Sequence, residues 1–203
     1  MPATRGTVGL STRALHIGQR LLAPRAQEFI AAELRAVIPE PRTVRRALDV
    51  GCGPASSLQL LDIRPVVLDM RMDLVRACAA KGGMAVCGTA TALPFADGTF
   101  DLVWSCGLLH HLDDEAASRA VAEMQRVRTR GGSLIIFDAV LPRQPARRPL
   151  ATLIRAIDRG RWMRRQQALE RLLATSAGPW SSSARLTYSA TGLEGLLAVW
   201  RSR

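Results

Sequence analysis

The chain has 203 residues, which is enough for one full domain with a sizeable core and a small appendage. Its composition, 48% hydrophobic and 22% charged, is ordinary for a globular protein, and no stretch approaches the ~18 continuous apolar residues that a membrane helix needs. The formal net charge of +11 fits a nucleic-acid surface, a solvated basic face or an acidic small substrate. The last two are favoured, because aromatic residues, which stack on bases, make up only 4%.

The N-terminal part of the chain predicts a helical extension. Residues 1–14 are rich in Thr, Ser, Gly and Arg and are expected to be partly disordered. Apolar residues recur at helical spacing from Leu15 to Val37, with an interruption at Pro24, which predicts two short helices. Pro39 and Pro41 end the second helix, so we assign residues 1–41 to this extension.

A short apolar strand, Arg46–Val50, runs into a glycine turn, Gly51-Cys52-Gly53, that opens a short helix over Ala55–Asp62. Glycine allows a positive φ and lets a ligand lie against the backbone. A pyrophosphate would avoid the carboxylate of Asp49 at the strand end, whereas a cationic ligand would be attracted to it. A nicotinamide fingerprint would require a third glycine where the chain has Ser56.

The second predicted strand, Val66–Leu68, ends at another acid, Asp69, twenty residues after Asp49. An acid at this position accepts hydrogen bonds from ribose hydroxyls in Rossmann-type sites. Two acids at neighbouring strand ends suit a positively charged nucleoside. S-adenosylmethionine (SAM) is such a ligand.

The rest of the chain alternates strands with helices, which predicts an α/β fold with a doubly wound, mostly parallel sheet. The remaining predicted elements are a helix over Met72–Ala80 stopped by Gly82-Gly83, strands Met84–Cys87 and Leu102–Ser105, a helix from Asp113 or Asp114 to about Arg128, a turn at Gly131-Gly132, and strands Ser133–Phe137, Ala184–Ala190 and Leu193–Trp200. The four cysteines lack the paired spacing of a metal site. They predict small buried side chains in a reducing, cytoplasmic compartment, and no bound metal.

His110 and His111 follow the fourth strand, where open α/β sheets bind ligands. One of them could face a substrate and take a proton, and His111 is the preferred candidate, with His110 second. Alternatively, one histidine packs and the other is solvated. Asp138, at the end of the fifth strand, is a further candidate, or else a helix or loop cap.

Four segments in order resemble the class I SAM-dependent methyltransferases of type 11. They are Ala47–Ala55, which resembles motif I, then Ala92–Val103, Leu108–Leu112 and Gly131–Phe137. The resemblance covers about residues 42–140. It implies a methyltransferase domain over residues 42–203, a Rossmann-like sheet of order 3-2-1-4-5-7-6 with an antiparallel last strand, and an insertion at 141–183 that covers the substrate.

The resemblance also implies a set of SAM-binding residues. The turn from Gly51 through Cys52 to Gly53 would lie beside the methionine moiety, and Asp49 would attract its ammonium group. Asp69 would bind the ribose, while Met70 packs on the adenine. The adenine amine would face Thr89 and Ala90, and the carbonyl of Ser105 would face the ammonium. Ala55 replaces the third motif glycine, and Thr89 replaces an acid that many relatives carry, which predicts a weaker adenine contact.

The predicted activity is therefore transfer of a methyl group from SAM to a small molecule by in-line displacement. The arginine-dense segment between Arg155 and Arg171 is either a solvated face or a cover that receives an anionic acceptor. Methylation of RNA or another nucleic acid is an alternative, although the chain has Ser105-Cys106-Gly107-Leu108 where base-amine methyltransferases carry an N-P-P-Y-type motif. A non-catalytic protein with a SAM-binding fold is the other alternative.

Overall fold

The computed structural model describes residues 25–38, 40–53, 55–80, 84–157 and 160–201. Seven strands in this part form one sheet of order β3-β2-β1-β4-β5-β7-β6. The strands are β1 (Ala47–Val50), β2 (Val66–Asp69), β3 (Met84–Cys87), β4 (Phe100–Cys106), β5 (Arg128–Val140), β6 (Ser182–Thr187) and β7 (Glu194–Arg201). Strands β1 to β5 pair in parallel, and β7 is antiparallel to β5 and β6. The predicted fold class and strand order are confirmed.

Helices cover both faces of this sheet. They are α1 (Ala26–Val37), α2 (Met72–Ala79), α3 (Asp114–Val127), α4 (Pro149–Ile157) and α5 (Gln166–Ala177). The first of the two predicted N-terminal helices and the Gly82-Gly83 stop lie outside the described residues, whereas α1 corresponds to the second helix. Helix α3 starts where its sequence predicts, because the Asp113 side chain accepts a hydrogen bond from the Ala116 amide at 2.8 Å.

The core has two halves, since consecutive strand residues point to opposite faces of a sheet. In β5, Leu134 and Ile136 pack in one cluster with residues of α3 and α5. Ile135 and Phe137 pack in the other cluster with residues of α1. Continuous burial of β4 and β5 on both faces explains why their sequences read as unbroken apolar runs. This rigid centre fixes the carboxyl ends of β1, β4 and β5, where the candidate site lies.

Two predicted connections are wrong in detail. The helix expected over Ala55–Asp62 is a 3-10 helix at Ser57–Leu61, which ends at once because Asp62 adopts a left-handed φ of 60°. The turn expected at Gly131-Gly132 is instead an irregularity inside β5, where Gly131 has a φ of 82°. The pairing of β4 with β5 shifts across it, so the extra residues leave the ladder without ending the strand.

Gly195 in β7 lies in a tightly packed part of the sheet, near the carboxyl end of β5. A Cβ at this position would lie 2.5 Å from Cζ of Phe137 and 3.0 Å from the Asp138 carbonyl oxygen. The Phe137 ring cannot move away freely, since it packs edge-on against Tyr188. We expect Gly195→Ala to destabilise the fold by ~1–3 kcal/mol and to lower the Tm by several degrees.

Thermal unfolding measures this loss, and Phe137→Leu is the matched second change. Because leucine removes the opposing ring edge, the double variant should be more stable than the sum of the two single effects predicts. An unchanged Tm for Gly195→Ala, or strict additivity of the two changes, would contradict this packing.

Candidate functional site

The glycine turn after β1 folds onto the end of β2. Gly51 and Gly53 have φ values of 75° and 57°, as the sequence predicts for this turn. The amides of Gly51 and Cys52 both donate to the Leu68 carbonyl, at 2.7 and 3.1 Å. From the other neighbouring strand, the Ser105 hydroxyl donates to the Val50 carbonyl at 2.9 Å. The structure therefore brings these predicted residues of β1, β2 and β4 together at one edge.

Asp49 is buried at the base of this turn, with 2% of its surface exposed. Its Oδ1 atom has no hydrogen-bond partner within the described part of the chain. Burial raises the pKa of this carboxyl to about 7, with small further increases from Cys78 and Asp69, while a hydrogen bond from Ser56 partly opposes the shift. A buried carboxylate oxygen without a donor is unfavourable, so this atom is a ready acceptor for a cationic group.

The carboxylate of Asp69 faces the same turn from the end of β2. Its Oδ2 accepts from the Gly53 amide at 3.1 Å and its Oδ1 from the Arg71 amide at 3.0 Å. These backbone donors hold the side chain beside the glycine turn and leave further lone pairs for ligand hydroxyls. Met70, the next residue, is 77% exposed and forms an apolar flank beside the acid.

Thr89 and Ala90 lie close to the end of β2, because the Gly88 amide donates to the Asp69 carbonyl at 3.0 Å. Ala90 is buried. The Thr89 hydroxyl is engaged locally: it shares a 2.9 Å hydrogen bond with the Thr91 hydroxyl and accepts from the Thr91 amide at 3.3 Å. The structure therefore places Thr89 and Ala90 near Asp69, with the Thr89 hydroxyl already hydrogen-bonded to Thr91. Their contact with adenine stays a prediction.

The two histidines have different surroundings. His110 is buried, and its Nδ1 lies 2.7 Å from Oδ1 of Asp138 on β5. His111 is exposed, with its ring centroid 4.1 Å from that of His110. Asp138 also accepts from the amides of Leu109 and Ala139. Because both carboxylate oxygens of Asp138 already accept backbone amides, Nδ1 of His110 is placed as a further donor to this carboxylate.

Residues of the segment between α4 and α5 pack over His110. A Cβ on Gly160 would lie 2.2 Å from Cδ2 of His110, so only glycine fits against the ring here. The Trp162 amide donates to the His110 carbonyl at 3.0 Å. Arg164 is buried and donates to the carbonyls of Leu109 and Leu112, each at 2.8 Å.

Arg164 is a residue that the sequence reasoning missed. Its side chain also forms an ion pair with Asp114 at the start of α3. Its backbone forms an isolated parallel β-bridge with Val140, the last residue of β5. In the sequence it is one arginine among many in a basic segment. Its partners lie about fifty residues away, and no local pattern indicates them.

The cysteines behave partly as predicted. No disulfide joins them, and Cys52 and Cys78 are buried, but Cys87 is exposed because β3 is the edge strand of the sheet. No group of three or more metal-ligating side chains occurs among the residues that the structure describes. None of the helices in that part of the chain is long and apolar enough to span a membrane. The cytoplasmic location stays a prediction.

Residues 48–136 match a family described as a methyltransferase domain. Among curated proteins, the chain is 36% identical over 115 residues to a malonyl-[acyl-carrier protein] O-methyltransferase of Herminiimonas arsenicoxydans, covering 54% of this chain and 42% of that protein. It is 35% identical over 114 residues to a demethylmenaquinone methyltransferase of Roseiflexus castenholzii, covering 52% and 47%. A probable tRNA methyltransferase 9B of Homo sapiens is 31% identical over 106 residues, covering 51% and 23%. The matches span less than half the length of each relative.

Solved structures share the fold over nearly the whole chain. A SAM-dependent methyltransferase of Thermotoga maritima superposes with a TM-score of 0.67 at 16% identity, covering 93% of this chain and 96% of that one. A 1,6-didemethyltoxoflavin-N1-methyltransferase of Burkholderia thailandensis, solved with its substrate and S-adenosylhomocysteine, gives a TM-score of 0.66 at 15% identity, covering 98% and 93%. At this level of identity the likeness shows the fold.

Proposed function

We propose that the chain is a class I SAM-dependent methyltransferase, which transfers a methyl group from SAM to a small-molecule acceptor. The observation that carries this proposal is the buried Oδ1 atom of Asp49, which has no donor among the described residues. The ammonium group of SAM would satisfy this atom and neutralise the carboxylate. The glycine turn, Asp69 and Met70 supply the neighbouring surfaces for the methionine, ribose and adenine moieties.

In this proposal the protein acts mainly by alignment. SAM, when bound, supplies an already activated methyl group on a sulfonium, and no metal is needed. The turn at Gly51–Gly53 and the carboxylates of Asp49 and Asp69 would fix the cofactor at both ends. Holding the acceptor in line with the methyl group can lower the barrier by ~7–11 kcal/mol. The covering segment around Gly160 would exclude water from this arrangement.

We assign the role of general base to His110 rather than to the exposed His111. Asp138 holds Nδ1 at 2.7 Å and thereby orients the ring and sets its tautomer. The lone pair on Nε2 can then take a proton from a hydroxyl or amine acceptor as the new bond forms. Asp138 acts through His110 and is a positioning residue.

Methylation of RNA is the second candidate function. The net charge of +11 and the likeness to a probable tRNA methyltransferase favour it. The cover over His110 favours the small molecule, because a buried base suits an acceptor that enters a closed site more than one presented by a long polymer. A SAM-binding protein without catalytic activity would retain the Asp49 site but would consume no SAM.

Calorimetric titration with SAM tests the binding site, and Asp69→Ala is the informative variant. Loss of two charge-assisted hydrogen bonds to the ribose should weaken SAM binding by about 10–1,000-fold. Asp73→Ala is the matched control, since Asp73 is an exposed acid on the first turn of α2. Unchanged SAM affinity in Asp69→Ala would remove the ribose assignment. Consumption of labelled SAM with a mixture of small-molecule acceptors, and not with RNA, would support the proposed reaction.

A further inference from the structure

A cavity of about 660 Å³ lies beyond the carboxyl end of β5, separate from the glycine turn. Leu141 and Pro142, which follow β5, form one wall, while α4 and the start of α5 form two others. This volume is in the range of small-molecule binding sites. Arg185 of β6 also lines it, and Leu141 follows directly after β5, the strand that carries Asp138.

The walls of this cavity are strongly cationic. Four arginines line it, namely Arg143, Arg155, Arg165 and Arg185, against a single acid, Glu170. This excess is local and does not follow from the average composition, because the chain as a whole has 28 basic and 17 acidic side chains. Concave sites with one sign of charge concentrate ligands of the opposite charge.

One of the four arginines is neutralised within the fold. Arg185 makes a two-pronged ion pair with Glu194, at 3.0 and 2.8 Å, and donates to the Leu141 carbonyl at 2.9 Å. Glu194 is buried, and the pKa of its carboxyl is lowered chiefly by Arg185. This pair therefore serves as the rigid floor of the cavity.

Two other arginines have no acid to pair with. Within the described residues, no carboxylate lies within ion-pair distance of the guanidinium of Arg143 or Arg165. The Arg143 guanidinium donates to the neutral side chain of Gln166 at 3.0 Å, while its backbone amide donates to the Glu194 carboxylate at 3.2 Å. Both residues line the cavity and are exposed to it or to its mouth. Each guanidinium group has a planar set of N–H donors that matches a carboxylate or a phosphate, and neither is neutralised by an acid among the described residues.

We propose that this cavity binds an acidic group, a carboxylate or a phosphate, of the methyl acceptor. The statement that the anion is part of a methyl acceptor rests on the proposed function, whereas the existence of an anion site does not. Asp138 precedes Leu141 by three strand residues, a distance of ~10 Å along the chain. A concave space of this size admits a small acid and not a folded RNA.

Binding of benzoate and of inorganic phosphate to the full chain, followed by ligand-observed NMR and calorimetry, tests the anion site. The variant is Arg143→Gln combined with Arg165→Gln, and the control is Arg171→Gln. Arg171 is an exposed arginine on the same helix, α5, that does not line this cavity. We expect the double variant to bind at least one of the two probes at least tenfold more weakly than the wild type, and the control to bind it as the wild type does.

Three results would overturn the inference. They are absence of binding of both probes to the wild type, equal affinity of the double variant and the wild type, and an equal loss in the control. Equal losses in the double variant and the control would indicate a general basic surface. If a short single-stranded RNA displaces the probe, and the same double variant weakens RNA binding, the cavity is a nucleic-acid site instead. A SAM titration of the same proteins separates the two proposals. Unaltered SAM binding together with lost anion binding in the double variant supports both. A wild type that binds the anion but not SAM would contradict the proposed function alone.

Discussion

Replacing Asp49 with asparagine is expected to weaken SAM binding by at least about 100-fold and to stabilise the fold at pH 8. The first effect follows because the variant removes the charge that would pair with the cofactor's ammonium in a buried site, where loss of one partner costs about 3–5 kcal/mol. The second follows because the carboxylate of Asp49 is buried and one of its oxygens has no donor among the described residues.

The stability effect of Asp49→Asn depends on pH in a defined direction. The pKa of Asp49 is about 7 in the folded chain against 3.8 for an ordinary aspartate, so the folded state binds the proton more tightly. The contribution of Asp49 to the stability of the wild type is therefore most favourable below about pH 4, becomes less favourable as the pH rises towards 7, and levels off above it. Asparagine has no such titration. The difference in Tm between variant and wild type should grow from pH 5 to pH 8, where we expect the variant to be more stable by ~1–3 kcal/mol.

Thermal unfolding at the two pH values and a SAM titration at pH 8 measure both effects. Glu115→Gln, which neutralises an exposed acid on α3, is the control and should change neither quantity. A variant that binds SAM as tightly as the wild type would refute the ammonium assignment. A Tm difference that is the same at pH 5 and pH 8 would refute the raised pKa.

Replacing His110 with glutamine is expected to lower kcat by about 10²–10⁴-fold, the usual contribution of a general base. SAM affinity should stay within about threefold, because His110 lies on the β4–α3 connection and the glycine turn does not depend on it. The acidic limb of the pH–rate profile should disappear in this variant, since the group that must lose a proton is gone. The measurement uses the acceptor found in the labelled-SAM screen.

Two further variants distinguish chemistry from structure at this position. His111→Gln removes the exposed neighbour and should change kcat by less than about threefold. Asp138→Asn keeps the size of the side chain but no longer fixes the tautomer of His110, so kcat should fall while the affinity for SAM is retained. If His110→Gln keeps kcat within fivefold of the wild type, or if His111→Gln causes the larger loss, His110 is not the base.

The sequence predicted the sheet, and the positions of the glycine turn and of the two strand-end acids, because local patterns determine them. Glycines that need a positive φ, such as Gly51 and Gly53, and acids at strand ends, such as Asp49 and Asp69, occupy positions that the chain itself fixes. Buried strands read as apolar runs, and their alternation with helices restricts the possible topologies. The strand order itself was implied by the resemblance to the family and not by these patterns, and the structure confirms it.

The roles of the histidines and arginines could not be read in the same way. His110 and His111 are adjacent in a 3-10 turn, where successive residues point ~120° apart, so the sequence cannot tell which one turns inward. The answer depends on Asp138, twenty-eight residues away. Arg164 and the ion pair of Arg185 with Glu194 likewise depend on long-range contacts that the basic composition conceals.

Proton release on SAM binding is the most direct test of the buried-carboxylate account. Titrations at pH 6.5 in two buffers of different ionisation enthalpy give the number of protons released. Because Asp49 has a pKa of about 7 and must be ionised to pair with the ammonium, we expect the wild type to release between about half and one proton. Asp49→Asn should release close to none. Equal binding heats for the wild type in both buffers would contradict the account.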